Sequence, residues 1–163
     1  MTFKLFYPAS FLPHKNHQLL LQTEVLEYFY RNKIKVFLSI DSNLPSYKSN
    51  DSLVCLGRLD RDACVRFLSE SDALLFLSEF ESLGLPLIEA ADACKPVICF
   101  DLPYTRELLG DSPYYIKHDL QSDHPICCAL AEFLSDQPTP RQASLVREAL
   151  PISSVWKHFL NAI

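Results

Sequence analysis

Residues 73–77 read Ala-Leu-Leu-Phe-Leu, an unbroken apolar run. Successive side chains of a strand point to opposite faces, so a strand with one wet face alternates apolar and polar residues. An unbroken run belongs to a strand covered on both faces. Residues 3–7, 34–40, 53–56, 96–100 and 114–116 are further short, largely apolar strand candidates. Between them lie segments with helical spacing. Residues 16–32 carry Leu19, Leu20, Val25, Leu26 and Phe29, and residues 61–69 carry Val65 and Leu68. Residues 86–93 and 126–134 are two more helix candidates. Residues 41–51 read as a polar loop, and Asp101, Leu102 and Pro103 as a turn. Pro138 and Pro140 break the pattern before two expected terminal helices, 141–149 and 153–161, split by Pro151. Strand and helix alternate throughout. The expected architecture is therefore an α/β, Rossmann-like, doubly wound parallel sheet of about six strands.

A length of 163 residues fits a single domain, residues 1–163, with terminal helices over about 139–163. The formal net charge is −5 and the Lys and Arg residues are scattered, which argues against a nucleic-acid partner. Six cysteines are present: Cys55, Cys64, Cys94, Cys99, Cys127 and Cys128. None forms a C-x-x-C pair, and no Cys/His spacing suits zinc. They read as small buried hydrophobes in a reducing compartment. Residues 1–4 show no signal-peptide pattern, and no apolar run approaches the length of a membrane span. A cytoplasmic location is the expectation.

In doubly wound sheets, ligands bind beyond the carboxyl ends of the strands. Five loops are expected there: 9–15, 41–46, 57–60, 78–85 and 101–104. The fourth runs into the sequence Glu81-Ser82-Leu83-Gly84-Leu85-Pro86-Leu87-Ile88-Glu89. Pro86 fits the first helical position, where a missing N–H costs nothing. The amides of Leu83, Gly84 and Leu85 are then unpaired at the positive end of a helix, which suits a phosphate. Gly84 permits close approach of a ligand. Glu81 lies at the ligand edge, and Glu89 about one turn inside the helix, where a carboxylate can accept two hydrogen bonds from a ribose diol. On spacing alone, Glu81 is equally a solvated loop acid and Glu89 a helix-surface charge.

The surrounding motifs narrow the choice. Residues 81–90 resemble the Glu-Gly-Phe-Gly-Leu-Pro-x-x-Glu-Ala signature of the family 4 retaining glycosyltransferases, whose two glutamates likewise have seven residues between them. Upstream, Leu56-Gly57 and Ser71-Asp72-Ala73 are similar to the approach to that signature. Downstream, Cys94-Lys95-Pro96-Val97-Ile98 resembles a Gly-x-Pro-Val-Val strand, and Glu107 with Gly110-Asp111 a Pro-Glu-x-x-Gly-Asp segment. Near the start, Tyr7-Pro8-Ala9 and Pro13-His14-Lys15-Asn16-His17 resemble the family's first loop. The resemblance covers about residues 3–135 in five ordered motifs.

The resemblance implies the GT-B architecture, two Rossmann-like domains facing across a cleft, with this chain as the C-terminal, donor-binding half. It implies that Glu89 holds the ribose hydroxyls and that Glu81 lies beside the transferred sugar. Ser82, Leu83, Gly84 and Leu85 form the phosphate and sugar cradle. Lys15 neutralises the diphosphate leaving group. Ser10 stands where many relatives carry an arginine, and Ser82 and Leu83 replace Gly-Phe. Arg58 lies in the loop that lines the nucleobase pocket, and His14 beside the donor. The implied substrate is a UDP- or GDP-sugar, with no cofactor and no metal. The acceptor is implied to sit on an N-terminal domain or partner chain, through which any peripheral membrane association would come.

Other features carry less. Asp60-Arg61-Asp62 matches an Asp-x-Asp metal pattern but sits where a helix N-cap belongs. His17, Tyr104, Arg106 and Glu107 are weaker candidates, and Trp156 belongs to an amphipathic terminal helix. Two rival readings share the fold. One is half of a nucleotide-sugar epimerase, which lacks this two-glutamate spacing. The other is a non-catalytic nucleotide-binding or interaction module, favoured by Ser10 and Ser82 and opposed by Lys15, Glu81 and Glu89 together.

Overall fold

The computed structural model describes residues 2–41, 44–117 and 124–136. Six strands form one sheet: β1 (Phe3–Tyr7), β2 (Ile34–Leu38), β3 (Leu53–Cys55), β4 (Ala73–Phe76), β5 (Val97–Phe100) and β6 (Tyr114–Ile116). Their order is β3-β2-β1-β4-β5-β6, and every neighbouring pair is parallel. Among the described residues, five α-helices lie between the strands, α1 (Thr23–Arg31), α2 (Pro45–Lys48), α3 (Arg61–Glu70), α4 (Leu85–Asp92) and α5 (Pro103–Leu109), and α6 (Pro125–Asp136) follows β6. This is the expected α/β Rossmann-like sheet.

The chain winds outward from β1 to β3, returns through α3 to β4, and winds outward the other way. Right-handed crossovers put α1 and α2 on one face and α3, α4 and α5 on the other. α6 packs on α1, β5 and β6, closing the first face. All residues of β4 and β5 are buried, as their unbroken apolar sequences require. β1 and β2 are less uniform. Lys4 and Lys35 are register partners near the amino ends of these strands, and both reach water. Phe6 of β1 stacks on Phe67 of α3 at 5.8 Å, while Phe133 anchors α6 edge-on against Phe3 and Tyr114.

Several expected elements differ. Residues 16–32 are not one helix. Two 3-10 turns, Pro13–Lys15 and His17–Leu21, precede α1. Asn16 is left-handed (φ 53°) and Gln22 extended, and both interrupt an α-helical ladder. The 41–51 loop contains the short α2. The turn at residues 101–103 opens α5, with Pro103 as a helix starter. Thr105 makes the turn helical: its Oγ1 accepts from the Leu102 amide at 3.0 Å and donates to the Phe100 carbonyl at 2.8 Å. Of the cysteines, only Cys99 is fully buried. Cys128 is exposed and the other four are half-buried, because they lie at strand ends and on helix flanks. The expected terminal helices and Trp156 lie outside the described residues. Among the described residues, no helix is long and apolar enough to cross a membrane.

Candidate functional site

β1 and β4 are adjacent, and the connections that leave their carboxyl ends run in opposite directions. A crevice opens at such a switch point. Two loops border it, residues 8–16 after β1 and residues 77–84 after β4.

The first loop is fixed from below. Tyr7 ends β1 with its ring buried edge-on against Phe76 of β4. Its hydroxyl donates to the Lys15 carbonyl at 2.5 Å. Burial holds the Tyr7 pKa far above the usual phenol range, so the hydroxyl stays a donor. Asn16 is buried, and its left-handed backbone turns the chain sharply after Lys15. Its Nδ2 donates to the Leu77 carbonyl at 3.1 Å. The Glu79 amide donates to the His14 carbonyl at 3.0 Å. These bonds stitch the two loops together across the crevice.

The stitching aims Lys15 at Glu81. Lys15 Nζ donates to Glu81 Oε1, and the two side chains are 11% and 17% exposed. That shelter weakens solvent screening of the pair. Lys15 Nζ also lies 6.0 Å from the Phe76 ring centroid. Tyr104 of α5 closes the far side, donating its hydroxyl to the Ser78 carbonyl at 2.6 Å. Its pKa is raised by burial and then by the nearby Glu81 charge. The Ser78 hydroxyl donates to the Phe80 carbonyl at 3.0 Å, tightening the same loop.

Gly84 caps α4 with φ 65°, the left-handed region. The conformation favours glycine, and a Cβ there would lie 3.1 Å from Leu108 Cδ1 and 3.3 Å from Leu87 Cδ1, so these side chains would have to give by a few tenths of an ångström. The helix starts at Leu85, one residue before the expected Pro86. The Leu87 amide bonds back to the Gly84 carbonyl at 2.9 Å. Among the described residues, the amides of Leu83, Gly84 and Leu85 donate to no backbone carbonyl. They stand at the positive end of α4. Ser82 and Leu85 are exposed beside them, and Leu83 is half-buried.

Glu89 lies in the second turn of α4, half-buried. Burial raises its pKa, Arg61 opposes that rise, and Asp92 adds to it. Arg61 Nε of α3 lies 3.7 Å from Glu89 Oε1. Asp60 caps α3 through its side chain, which accepts from the Ala63 amide at 2.8 Å. The cap reading of that aspartate therefore holds.

The remaining candidates scatter. Ser10 is exposed in the first loop, and its carbonyl accepts from the Leu12 amide at 2.9 Å. His14 is half-buried and contributes its backbone to the stitch. Arg58 is exposed beyond β3 and forms no ion pair with Glu81 or Glu89. Arg106 is tied to Asp101 at 2.6 and 2.8 Å, to Asp111, and to the Tyr115 ring face. Glu107 is exposed. His17 is buried, stacked on Tyr7 at 4.8 Å. Neither of its ring nitrogens makes a hydrogen bond among the described residues. Burial lowers its pKa to about 4, with Lys15 adding to the effect and the Ala9 backbone opposing it. Sequence reasoning missed the parts that Tyr7, Asn16 and Arg61 play in this arrangement and held Tyr104 only as a weaker candidate. Only the left-handed tolerance of asparagine could have signalled Asn16.

The geometry assembles a sheltered lysine–glutamate pair, a free helix N-terminus, and a half-buried carboxylate one turn inside that helix. Known proteins resemble this chain in sequence and in fold. The chain is 35% identical, over 86 residues, to the serotype-specific mannosyltransferase WbdA of Escherichia coli; the match covers 53% of this chain and 10% of the relative. Its structure is similar to that of WaaG, a glycosyltransferase involved in lipopolysaccharide biosynthesis (TM-score 0.74, 16% identity, 99% of this chain and 47% of that one). It is also similar to the pneumococcal O-GlcNAc transferase GtfA, solved with UDP and GlcNAc (TM-score 0.71, 18% identity, 98% of this chain and 35% of that one). The chain thus spans about a tenth of the curated relative and a third to a half of these solved chains. The model of the glycosyl transferases group 1 family matches residues 40–148, more than half of the sequence, and the chain belongs to that family.

Proposed function

We propose that this chain is the donor-binding half of a retaining glycosyltransferase of family 4, taking a UDP- or GDP-sugar. The observation that carries the reading is the Lys15–Glu81 pair at the sheet's switch point, beside the free N-terminus of α4. The amides of Leu83, Gly84 and Leu85 meet the diphosphate with the positive end of the helix. Lys15 offsets the negative charge that grows on the departing nucleoside diphosphate, an electrostatic term that acts in the transition state. Glu81 accepts hydroxyls of the transferred sugar and faces the positive charge that develops there. Glu89 holds the ribose diol. Lys15 and the α4 N-terminus take the place of a divalent metal.

The acceptor belongs to an N-terminal domain or partner chain, and the half alone transfers little or no sugar. A cytoplasmic setting is part of the same reading. Calorimetric titration with UDP, GDP and their sugars tests it. Binding in the millimolar range or tighter is expected, and Glu89→Ala weakens it by about 1–3 kcal/mol. No binding by wild type at millimolar ligand would sink the reading.

A further inference from the structure

We infer that Arg61 is a positioning residue of the donor site, holding the Glu89 carboxylate in its charged form from across the gap between α3 and α4. The inference rests on the reading that Glu89 holds the ribose diol. Arg61 opens α3, before β4, and Glu89 lies in α4, after it, so the pair exists only through the fold.

At 3.7 Å the contact is an ion pair but too long for a hydrogen bond. Glu89 therefore keeps its acceptor lone pairs for a diol while feeling the guanidinium charge. The partners are unequal. The Arg61 side chain is 71% exposed and that of Glu89 26%, so the cation is the wet, movable partner and the acid the sheltered one.

The ionisable groups facing Glu89 are Arg61 and Cys64 from α3 and Asp92 from its own helix. Burial and Asp92 both resist ionisation of Glu89. Cys64 supplies no charge, because burial and then Glu89 itself push its thiol up. The α4 dipole has faded by the second turn. Among the described residues, Arg61 is the only cation in ion-pair range of Glu89. A protonated carboxyl loses one of its two acceptor oxygens to the proton and cannot grip a vicinal diol symmetrically.

The test combines two titrations of wild type, Arg61→Gln and Arg61→Lys. Carbon-13 NMR follows the Glu89 carboxyl in the nucleotide-free protein, and calorimetry follows UDP and GDP binding across the acid range. In Arg61→Gln, Glu89 is expected to titrate roughly half a pH unit higher, the shift suited to a largely exposed partner. The acid limb of nucleotide binding moves by the same amount, and affinity at pH 8 stays within about twofold of wild type. Arg61→Lys stays close to wild type. An unmoved Glu89 titration in Arg61→Gln overturns the inference. So does an equal loss of affinity at every pH, which would make Arg61 a direct donor contact. Glu89→Gln separates this from the underlying reading. Unchanged nucleotide binding there overturns the ribose role itself, whatever the Arg61 variants do.

Discussion

Replacing Asn16 tests whether the stitch between the two crevice loops holds Lys15 in place. Asn16 performs two tasks at one position. Its backbone sits in the left-handed region at φ 53°, and its buried side chain donates to the Leu77 carbonyl at 3.1 Å. Asn16→Gly keeps the backbone conformation and removes the side chain, with its bond to the Leu77 carbonyl and the one its Oδ1 accepts from Gln18 Nε2. The Leu77 carbonyl loses that buried partner, at a cost of about 1–3 kcal/mol. Asn16→Ala removes the same bond and adds left-handed strain of about 1–2 kcal/mol. The alanine variant is therefore expected to be the less stable of the two by about 1 kcal/mol. Urea unfolding measures both, read as a change in midpoint at constant slope. Nucleotide affinity should fall in the same order, because the bond fixes the residue after Lys15. Both variants lying within about 0.5 kcal/mol of wild type would refute the reasoning. An alanine variant more stable than the glycine variant would refute it too.

Gly84→Ala places a Cβ at φ 65° and 3.1 Å from Leu108 Cδ1, so stability falls by about 1–2 kcal/mol and nucleotide binding weakens. A thermal melt and a titration check this. His17 has a folded pKa of about 4, below its ordinary 6.5, so the unfolded chain binds more protons in that window. Its contribution is complete above pH 6.5 and is lost as pH falls toward 4, by up to about 2–3 kcal/mol after allowance for screening. His17→Phe should flatten that part of the stability–pH profile. Excess EDTA should leave nucleotide affinity unchanged, since Lys15 and the α4 N-terminus carry the charge. A large loss of affinity on chelation would count against that reading.

How far the sequence could be read depended on how local each cause was. β4 and β5 were legible because burial on both faces leaves an unbroken apolar run. The α4 turn was legible because glycine before proline marks a helix start. α5 was not, because Pro103 reads as a turn until the Thr105 hydroxyl is seen bonding back to residues 100 and 102. Residues 16–22 carry helically spaced leucines, yet the left-handed Asn16 and the extended Gln22 bound a 3-10 turn there. The site divided along the same line. Glu81 and Glu89 stood out through the motif they share and the motifs around it, and Lys15 through the same resemblance. Their partners Lys15 and Arg61 meet them only through the crossovers of the sheet. Arg61 lies inside the Asp60-Arg61-Asp62 run, and no local pattern links it to Glu89.

The central claim is that a nucleoside diphosphate sits at the α4 N-terminus beside Lys15. Amide chemical-shift mapping during addition of UDP or GDP tests it most directly. The account predicts that the amides of Lys15, Leu83, Gly84, Leu85 and Glu89 move first and saturate on one binding curve. Shifts confined to other surfaces, or none at millimolar nucleotide, would contradict it.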